Sequence, residues 1–187
     1  MKKLIPFLVL LAGVSSALAQ GTLTFVNAGS FPTLGQDRLV YLGPDPADRT
    51  TPAIGTNYMV QLYYGADAGS LAAHTAAPNR IRGTGTLSPG TWSGGGTRTL
   101  TGYSVGAVVT MQIRAWDSGP NGTETWNSAS IRGQSSIFTY VVPPAGSPAA
   151  QYLMDNLRAF TIVVPEPSVI GLGIIGVGAL FLLRRRK

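Results

Sequence analysis

The residues with the clearest chemical use in this sequence are three tryptophans and the polar residues beside one of them. Trp116 lies on the polar side of an alternating segment, with Arg114 two positions before it and Asp117 directly after it. The face of an exposed tryptophan can stack on a sugar ring, while neighbouring charged groups hydrogen-bond the hydroxyls. Trp92 and Trp126 lie in segments of loop composition. Two interpretations stay open: a carbohydrate contact at Arg114, Trp116 and Asp117, or tryptophans packed beneath loops.

Oxygen-bearing side chains gather in the loop after this segment, where Asp117, Asn121 and Glu124 make a weak candidate calcium site. Asp45 and Asp48 form a second pair. Neither spacing fits an EF-hand, and calcium usually takes about six or more oxygen ligands. Asp and Asn are also common turn formers. We therefore predict no bound metal, with calcium at either loop as the alternative.

Catalytic chemistry has little support in this sequence. The chain has one histidine, His74, no cysteine and no Gly-x-Ser-x-Gly motif. We expect His74 to be an ordinary exposed loop residue. The carboxylates are spread over predicted loops, and nothing selects a pair suited to glycoside hydrolysis. We predict no catalytic residues and no cofactor, so that the protein is not an enzyme.

Alternating and β-branched segments predict an all-β fold. The clearest is 107–116, where Val109, Met111 and Ile113 share one face and Gln112 and Arg114 the other. Further strands are predicted at 22–27, 38–42, 56–64, 81–87, 97–100, 134–142 and 157–164. Residues 71–77 and 149–156 could each form one helical turn. Because no long crossover helix is present, we predict a single antiparallel β-sandwich, jelly-roll or Ig-like, over residues 20–163.

The net charge of +6 comes from the two ends of the chain. Between Gln20 and Val163 eight arginines face seven carboxylates, and no lysine is present. The arginines are scattered singly along the sequence. A nucleic-acid-binding surface usually shows a strong basic excess, so we predict no nucleic-acid partner.

The N-terminus predicts export. A basic start, Met1–Lys3, precedes an apolar run and the small-x-small pattern of Ala17 and Ala19 before Gln20. This order is typical of a secretory signal peptide over residues 1–19, cleaved by signal peptidase before Gln20.

The C-terminus has three parts in series. Residues 164–168 hold Pro165, Glu166 and Pro167, whose prolines favour an extended, exposed backbone. Residues 169–183 carry no charge and predict a short transmembrane helix of about 22 Å. The basic cluster Arg184, Arg185, Arg186 and Lys187 follows and should stay in the cytoplasm.

This tripartite tail resembles the PEP-CTERM sorting signal of Gram-negative bacteria with exosortase systems. The resemblance covers Val164 to Lys187. It implies export, transient anchoring through the C-terminal helix, and processing near Pro165–Pro167 by exosortase, followed by release to the cell surface or outside the cell. Proteins with this signal are commonly associated with exopolysaccharide and biofilm matrix, but their exported domains are diverse.

Several blocks, among them 94–99, 112–117 and 133–138, are also similar to uncharacterised PEP-CTERM proteins of Verrucomicrobia-like bacteria. That similarity implies no activity. We therefore expect a non-catalytic cell-surface or extracellular-matrix protein, with a carbohydrate-binding module for matrix polysaccharide as the alternative.

Overall fold

The computed structural model describes residues 20–27, 36–83, 88–92 and 95–165. These residues form short strands and one 3-10 helix, Ala149–Tyr152. The strands are β1 (Gln20–Thr24), β2 (Val40–Gly43), β3 (Thr51–Pro52), β4 (Tyr58–Gly65), β5 (Ala72–Ala73), β6 (Asn79–Arg80), β7 (Thr97–Ser104), β8 (Val108–Asp117), β9 (Arg132–Gln134), β10 (Phe138–Val141) and β11 (Phe160–Val163). The prediction of a mostly β fold is confirmed.

The strands form two sheets. A small sheet pairs β1 with β7, and a larger one runs in the order β3-β2-β11-β9-β8-β4-β5, with β10 also on β8 and β6 also on β4. One apolar core takes side chains from both sheets, including Leu23 and Leu100 from the small sheet and Leu62 and Ile113 from the large one. A sandwich fits this arrangement. Its jelly-roll or Ig-like type stays a prediction.

The two longest strands of the large sheet follow the predicted alternation. β4 and β8 pair over their whole overlap, from Tyr58 opposite Asp117 to Gly65 opposite Thr110. Val109, Met111, Ile113 and Ala115 are fully buried in the core, while Arg114 on the other face is half-buried. The period-two pattern therefore assigned both faces correctly.

The predicted strand 134–142 is confirmed in its second half as β10, whereas its first residue, Gln134, is the end of a separate strand, β9. β9 and β10 both pair with β8, at Arg114–Trp116 and at Val108–Met111 respectively. Between them, the Ser135 hydroxyl accepts a 3.0 Å hydrogen bond from the Ile113 N–H, while the Ser135 N–H donates to the Ile113 carbonyl. A serine side chain thus replaces one ladder carbonyl and interrupts the pairing.

The expectation of purely antiparallel pairing is wrong at one place. β11 lies between β2 and β9, and it is parallel to β2, with Phe160 opposite Val40 and Val163 opposite Gly43. The prediction of antiparallel pairing assumed that parallel strands are joined directly by a crossover helix. β2 and β11 are instead separated by nearly the whole domain, so no such helix is needed. Gly133 in β9 packs so closely on β11 that a Cβ there would overlap the carbonyl oxygen of Thr161.

Of the two predicted helical turns, one is present and the other is not. Residues Ala149–Tyr152 form the 3-10 helix, which confirms the turn expected at 149–156. The alanine-rich segment 71–77 is instead part of the sheet, because Ala72 and Ala73 pair with the edge of β4. Within the described ranges no helix is long and apolar enough to cross a membrane.

The targeting segments lie outside the described residues. This applies to the signal peptide 1–19 with Ala17 and Ala19, to the helix predicted at 169–183 and to the basic cluster 184–187.

Candidate functional site

Trp116 lies on the outward face of β8, as the alternation predicts, but its ring is not free. Only 5% of its surface is exposed, and its indole N–H donates a 2.8 Å hydrogen bond to the Glu124 carbonyl. The loop after β8 folds back over the ring. The expected exposed stacking face is therefore absent at Trp116, and the alternative of a tryptophan packed beneath a loop describes it.

Of the candidate calcium residues Asp117, Asn121 and Glu124, Asp117 has a structural role in the local fold. Asp117 accepts hydrogen bonds from the Gly119 N–H, at 2.8 Å, and from the Asn57 amide, at 3.0 Å. This carboxylate therefore closes the turn after β8 and ties it to the start of β4. Among the residues that the structure describes, no three His, Asp or Glu side chains are grouped to hold a metal ion.

The second acidic pair also forms turns. Asp45 accepts from the Ala47 N–H at 2.7 Å, and Asp48 accepts from both the N–H and the hydroxyl of Thr50. Those bonds, the hydroxyl one first, lower the pKa of Asp48. Both carboxylates thus hold the loop between β2 and β3.

The other two tryptophans differ sharply. Trp92 is fully buried and packs on Phe25, with ring centroids 5.4 Å apart. Trp126 is half-buried, and two guanidinium groups lie on its ring, those of Arg114 and Arg132, each 5.3 Å from the ring centroid. Of the three, Trp126 is the one that reaches the surface.

A row of cations and rings crosses the outward face of the large sheet. The Arg114 guanidinium also lies 4.0 Å from the Tyr63 ring on β4. The sheet register explains the row, because Arg114 is opposite Gln61 on β4 and Gln134 on β9, while Arg132 is opposite Trp116. We call the set Tyr63, Arg114, Trp126 and Arg132 the arginine face.

An open cleft of about 760 Å³ lies beside the arginine face. Its floor is made by β9 and β11, where Gly133 lets the two backbones approach closely. Its lining includes Arg49, Trp126, Arg132, Gln134, Thr161 and Val163.

The wall opposite Trp126 is fixed by Arg49. Its guanidinium donates to the Ala159 carbonyl at 3.1 Å and to the Thr161 hydroxyl, and the Thr161 hydroxyl in turn donates to the Asp48 carbonyl. These bonds tie the loop after β2 to β11. Arg49 therefore brings both rigidity and a positive charge to the cleft.

The arginines of this surface make no close ion pair, although the charge of Asp48 interacts with that of Arg49. Within the described ranges the ion pair present is Arg38 with Asp155, at 3.6 Å, so that Arg49, Arg114 and Arg132 have no carboxylate within 4.0 Å.

The nearby phenol of Tyr41 donates to Asp37 at 2.8 Å. Burial, together with this bond and the Asp37 charge, raises the pKa of Tyr41 to about 12.

His74 is not the exposed loop residue that we expected. It is 8% exposed, its Nδ1 accepts from the Ala76 N–H at 2.9 Å, and its Nε2 lies 3.0 Å from the Thr99 carbonyl on β7. A carbonyl only accepts, so Nε2 carries the proton. Burial lowers the pKa of His74. The ring is thus a neutral link between the two sheets.

Sequence reasoning missed Arg132, Arg49 and Gln134 as site residues. Single arginines far apart in sequence gave no basic patch, and only the strand order brings three of them to one surface. The alternation of Arg132 and Gln134 around Gly133 was a usable signal, because it places both side chains on one side of a strand.

Of the sorting motif, the structure describes Pro165 alone, which is exposed, while Glu166 and Pro167 lie outside the described residues. Residues 163–187 match the family model of the PEP-CTERM protein-sorting motif. The tail is therefore the sorting signal of an exosortase substrate, a protein exported, anchored transiently in the membrane and sorted to the cell surface. No curated protein and no solved structure matches the chain. The similarity to Verrucomicrobia-like proteins stays a prediction, because no match names an organism.

Proposed function

We propose that this chain is a non-catalytic protein of the cell surface or extracellular matrix. Signal peptidase removes residues 1–19 on export, the helix at 169–183 anchors the chain with residues 184–187 in the cytoplasm, and exosortase then processes the tail near Pro165. The observation that supports this most is the position of the motif match. It begins at Val163, the last residue of β11, so the sorting signal directly follows the last strand that the structure describes.

The absence of catalysis is part of the proposal. His74 has both ring nitrogens engaged and is buried between the sheets. The carboxylates of Asp45, Asp48 and Asp117 are held in turns. These side chains are therefore poorly placed to act as general acids or bases, since such groups must reach a substrate.

The sorting route is tested by the intact mass and terminal peptides of the protein recovered from the native envelope and medium. We expect a form that begins near Gln20 and ends close to Pro165–Ser168. The matched control replaces Pro165, Glu166 and Pro167 by alanine, and should keep the whole tail. A wild-type protein that still carries Arg184–Lys187 in its final location would overturn processing by exosortase.

Membrane retention is tested by deleting residues 166–187. The deletion leaves β11 intact, including the 2.9 Å hydrogen bond from the Val164 N–H to the Gly43 carbonyl. We expect the shortened protein to be released with an unchanged melting temperature. Unfolding upon deletion would instead mean that the domain extends into the tail.

The second candidate function is carbohydrate binding, and the cleft beside Trp126 supports it. The open cleft combines one half-buried aromatic ring, Trp126, with polar and arginine side chains, which can contact the faces and hydroxyls of sugars. The contact proposed for Arg114 moves to the edge of the cleft, where its guanidinium lies on the Trp126 ring. Trp126 replaces Trp116 as the aromatic residue of the site, because Trp116 is buried. Asp117 has no part in it, because its carboxylate closes a turn.

Retention on immobilised matrix polysaccharide tests this second function. Trp126→Ala should weaken retention about tenfold, as expected for an aromatic anchor. Tyr152→Ala is the control, because Tyr152 is a half-buried aromatic residue outside the cleft lining. Equal retention of wild type and Trp126→Ala would remove the cleft from consideration. The release of reducing ends during the assay would contradict the absence of catalysis.

A further inference from the structure

We propose that the cleft and the arginine face beside it bind acidic polysaccharide. Arg132, in the cleft lining, and Arg114, beside the cleft on the Trp126 ring, bind the carboxylate groups of its sugars. The inference rests on the carbohydrate-binding function proposed above and specifies its ligand class.

The two arginines have donors left for a ligand. Arg132 uses one Nη1 hydrogen bond, of 2.8 Å, to the Trp126 carbonyl, and Arg114 uses its Nε for a 2.9 Å bond to the Gln112 side chain. Their other guanidinium N–H groups make no hydrogen bond within the described part of the chain. A guanidinium fork with two free N–H groups matches the two oxygens of a carboxylate.

The rings hold these cations in place before any ligand arrives. Arg114 lies between Tyr63, at 4.0 Å, and Trp126, at 5.3 Å, while Arg132 lies on the same Trp126 ring. Because two guanidinium groups already lie on the Trp126 ring, this ring contributes more by positioning the two arginines than by stacking on a sugar. Preorganised cations lose less entropy upon binding than free surface arginines.

The charge of the cleft favours an anion. Arg49, Arg114 and Arg132 have no carboxylate within 4.0 Å, although the domain as a whole is almost neutral. The charge of Arg49 interacts with that of neighbouring Asp48, so the unpaired charge of this surface is that of Arg114 and Arg132. A neutral glycan could accept hydrogen bonds from these arginines but would leave their charge uncompensated.

The rest of the lining favours a polyhydroxylated chain over a lipid surface. Gln134 and Ser136 are exposed at the cleft and can hydrogen-bond sugar hydroxyls. Insertion into a bilayer would need several apolar side chains at the rim, whereas Ile137, directly after Ser136, is a single exposed one. The most exposed valines, Val108 and Val141, face each other at the opposite end of β8.

The test uses the full-length protein in detergent micelles and three carboxylated probes, polygalacturonate, alginate and hyaluronan. Each probe is compared with its carboxyl-reduced form, which keeps the sugars and removes the charge. Arg114→Gln and Arg132→Gln should each weaken binding about tenfold, the loss expected for a charge-assisted contact. Arg80→Gln is the control, since Arg80 lies on β6 beyond β4 and its loss changes the net charge equally.

We expect binding to at least one acidic probe, loss of binding to its reduced form, and no effect of Arg80→Gln. Equal binding of acidic and reduced forms would overturn the anion proposal and leave carbohydrate binding intact. No binding to any of the six polymers would overturn both. Arginine-dependent binding of equal strength to phosphatidylglycerol vesicles or to single-stranded DNA would also overturn the acidic-polysaccharide proposal. The cleft would then bind any polyanion, whatever its chemistry.

Discussion

The two faces of β8 are built from alternate residues of one strand, yet they are determined by different parts of the chain. On the inner face, Met111 and Ile113 are fully buried in the common core. On the outer face, Arg114 and Trp116 make their contacts with Tyr63, with Trp126 and with the carbonyl of Glu124. The inner face follows from the alternation of the strand itself. The outer face depends on which loops and strands arrive beside it.

This difference predicts that the inner face determines stability and the outer face determines ligand affinity, which substitutions can test. Inner-face changes should lower the free energy of unfolding and leave ligand affinity per folded molecule unchanged. Changes to the arginines on the outward face of the sheet should do the reverse, whereas Trp116 and Gln112 are buried there.

Ile113→Ala should have the largest effect. Ile113 is fully buried in the core, and its truncation removes apolar contacts and leaves a cavity. We expect a loss of about 3 kcal/mol in the free energy of unfolding, measured by denaturant titration. A loss below about 1 kcal/mol would mean that the inner face is not the well-packed core described above.

Gly133→Ala tests the strand on which the cleft is built. A Cβ at Gly133 meets the backbone of Thr161, which cannot move without parting β9 from β11. We expect a loss of about 2 kcal/mol. In Gly69→Ala, the matched control, the new Cβ makes only an ordinary contact with Asp67, so the free energy of unfolding should hardly change. Equal stability of the two variants would contradict the close approach of β9 and β11.

His74 allows the stability of a buried polar group to be tested by changing the pH. Burial sets the pKa of folded His74 below that of the unfolded chain, so the unfolded state takes up the proton first as pH falls. Stability should be complete above about pH 6.5 and decline below it, by at most about 1.4 kcal/mol per pH unit. Since His74 is the only histidine, His74→Gln should remove this slope. An unchanged slope would assign the effect to carboxylates.

Arg132→Gln should have the smallest effect on stability. Arg132 is exposed and makes one hydrogen bond to a loop carbonyl, so its loss should change the free energy of unfolding by less than about 0.5 kcal/mol. A loss comparable to that of Ile113→Ala would erase the contrast between the two faces.

The sequence was sufficient for what local alternation decides. It predicted β4 and β8, the sides of their residues and the final strand. It could not show that β2 pairs with β11, because Val40 and Phe160 are opposite each other only after the intervening chain has folded. For the same reason it could not gather Arg49, Arg114 and Arg132. The burial of Trp116 escaped prediction because it depends on a carbonyl in the following loop.

The place of β11 in the sheet has a mechanical consequence. A force passed along the chain beyond Val164 pulls β11 lengthwise, against the hydrogen bonds that join it to β2 from Phe160 to Val163. Hydrogen bonds perpendicular to the force are loaded together in shear. A strand that is unzipped from one end breaks its hydrogen bonds one after another. Val163 also lines the cleft. A polymer bound at Arg132 would therefore pass tension from β9 to β11, where Arg132 is opposite Val163, and on to the tail.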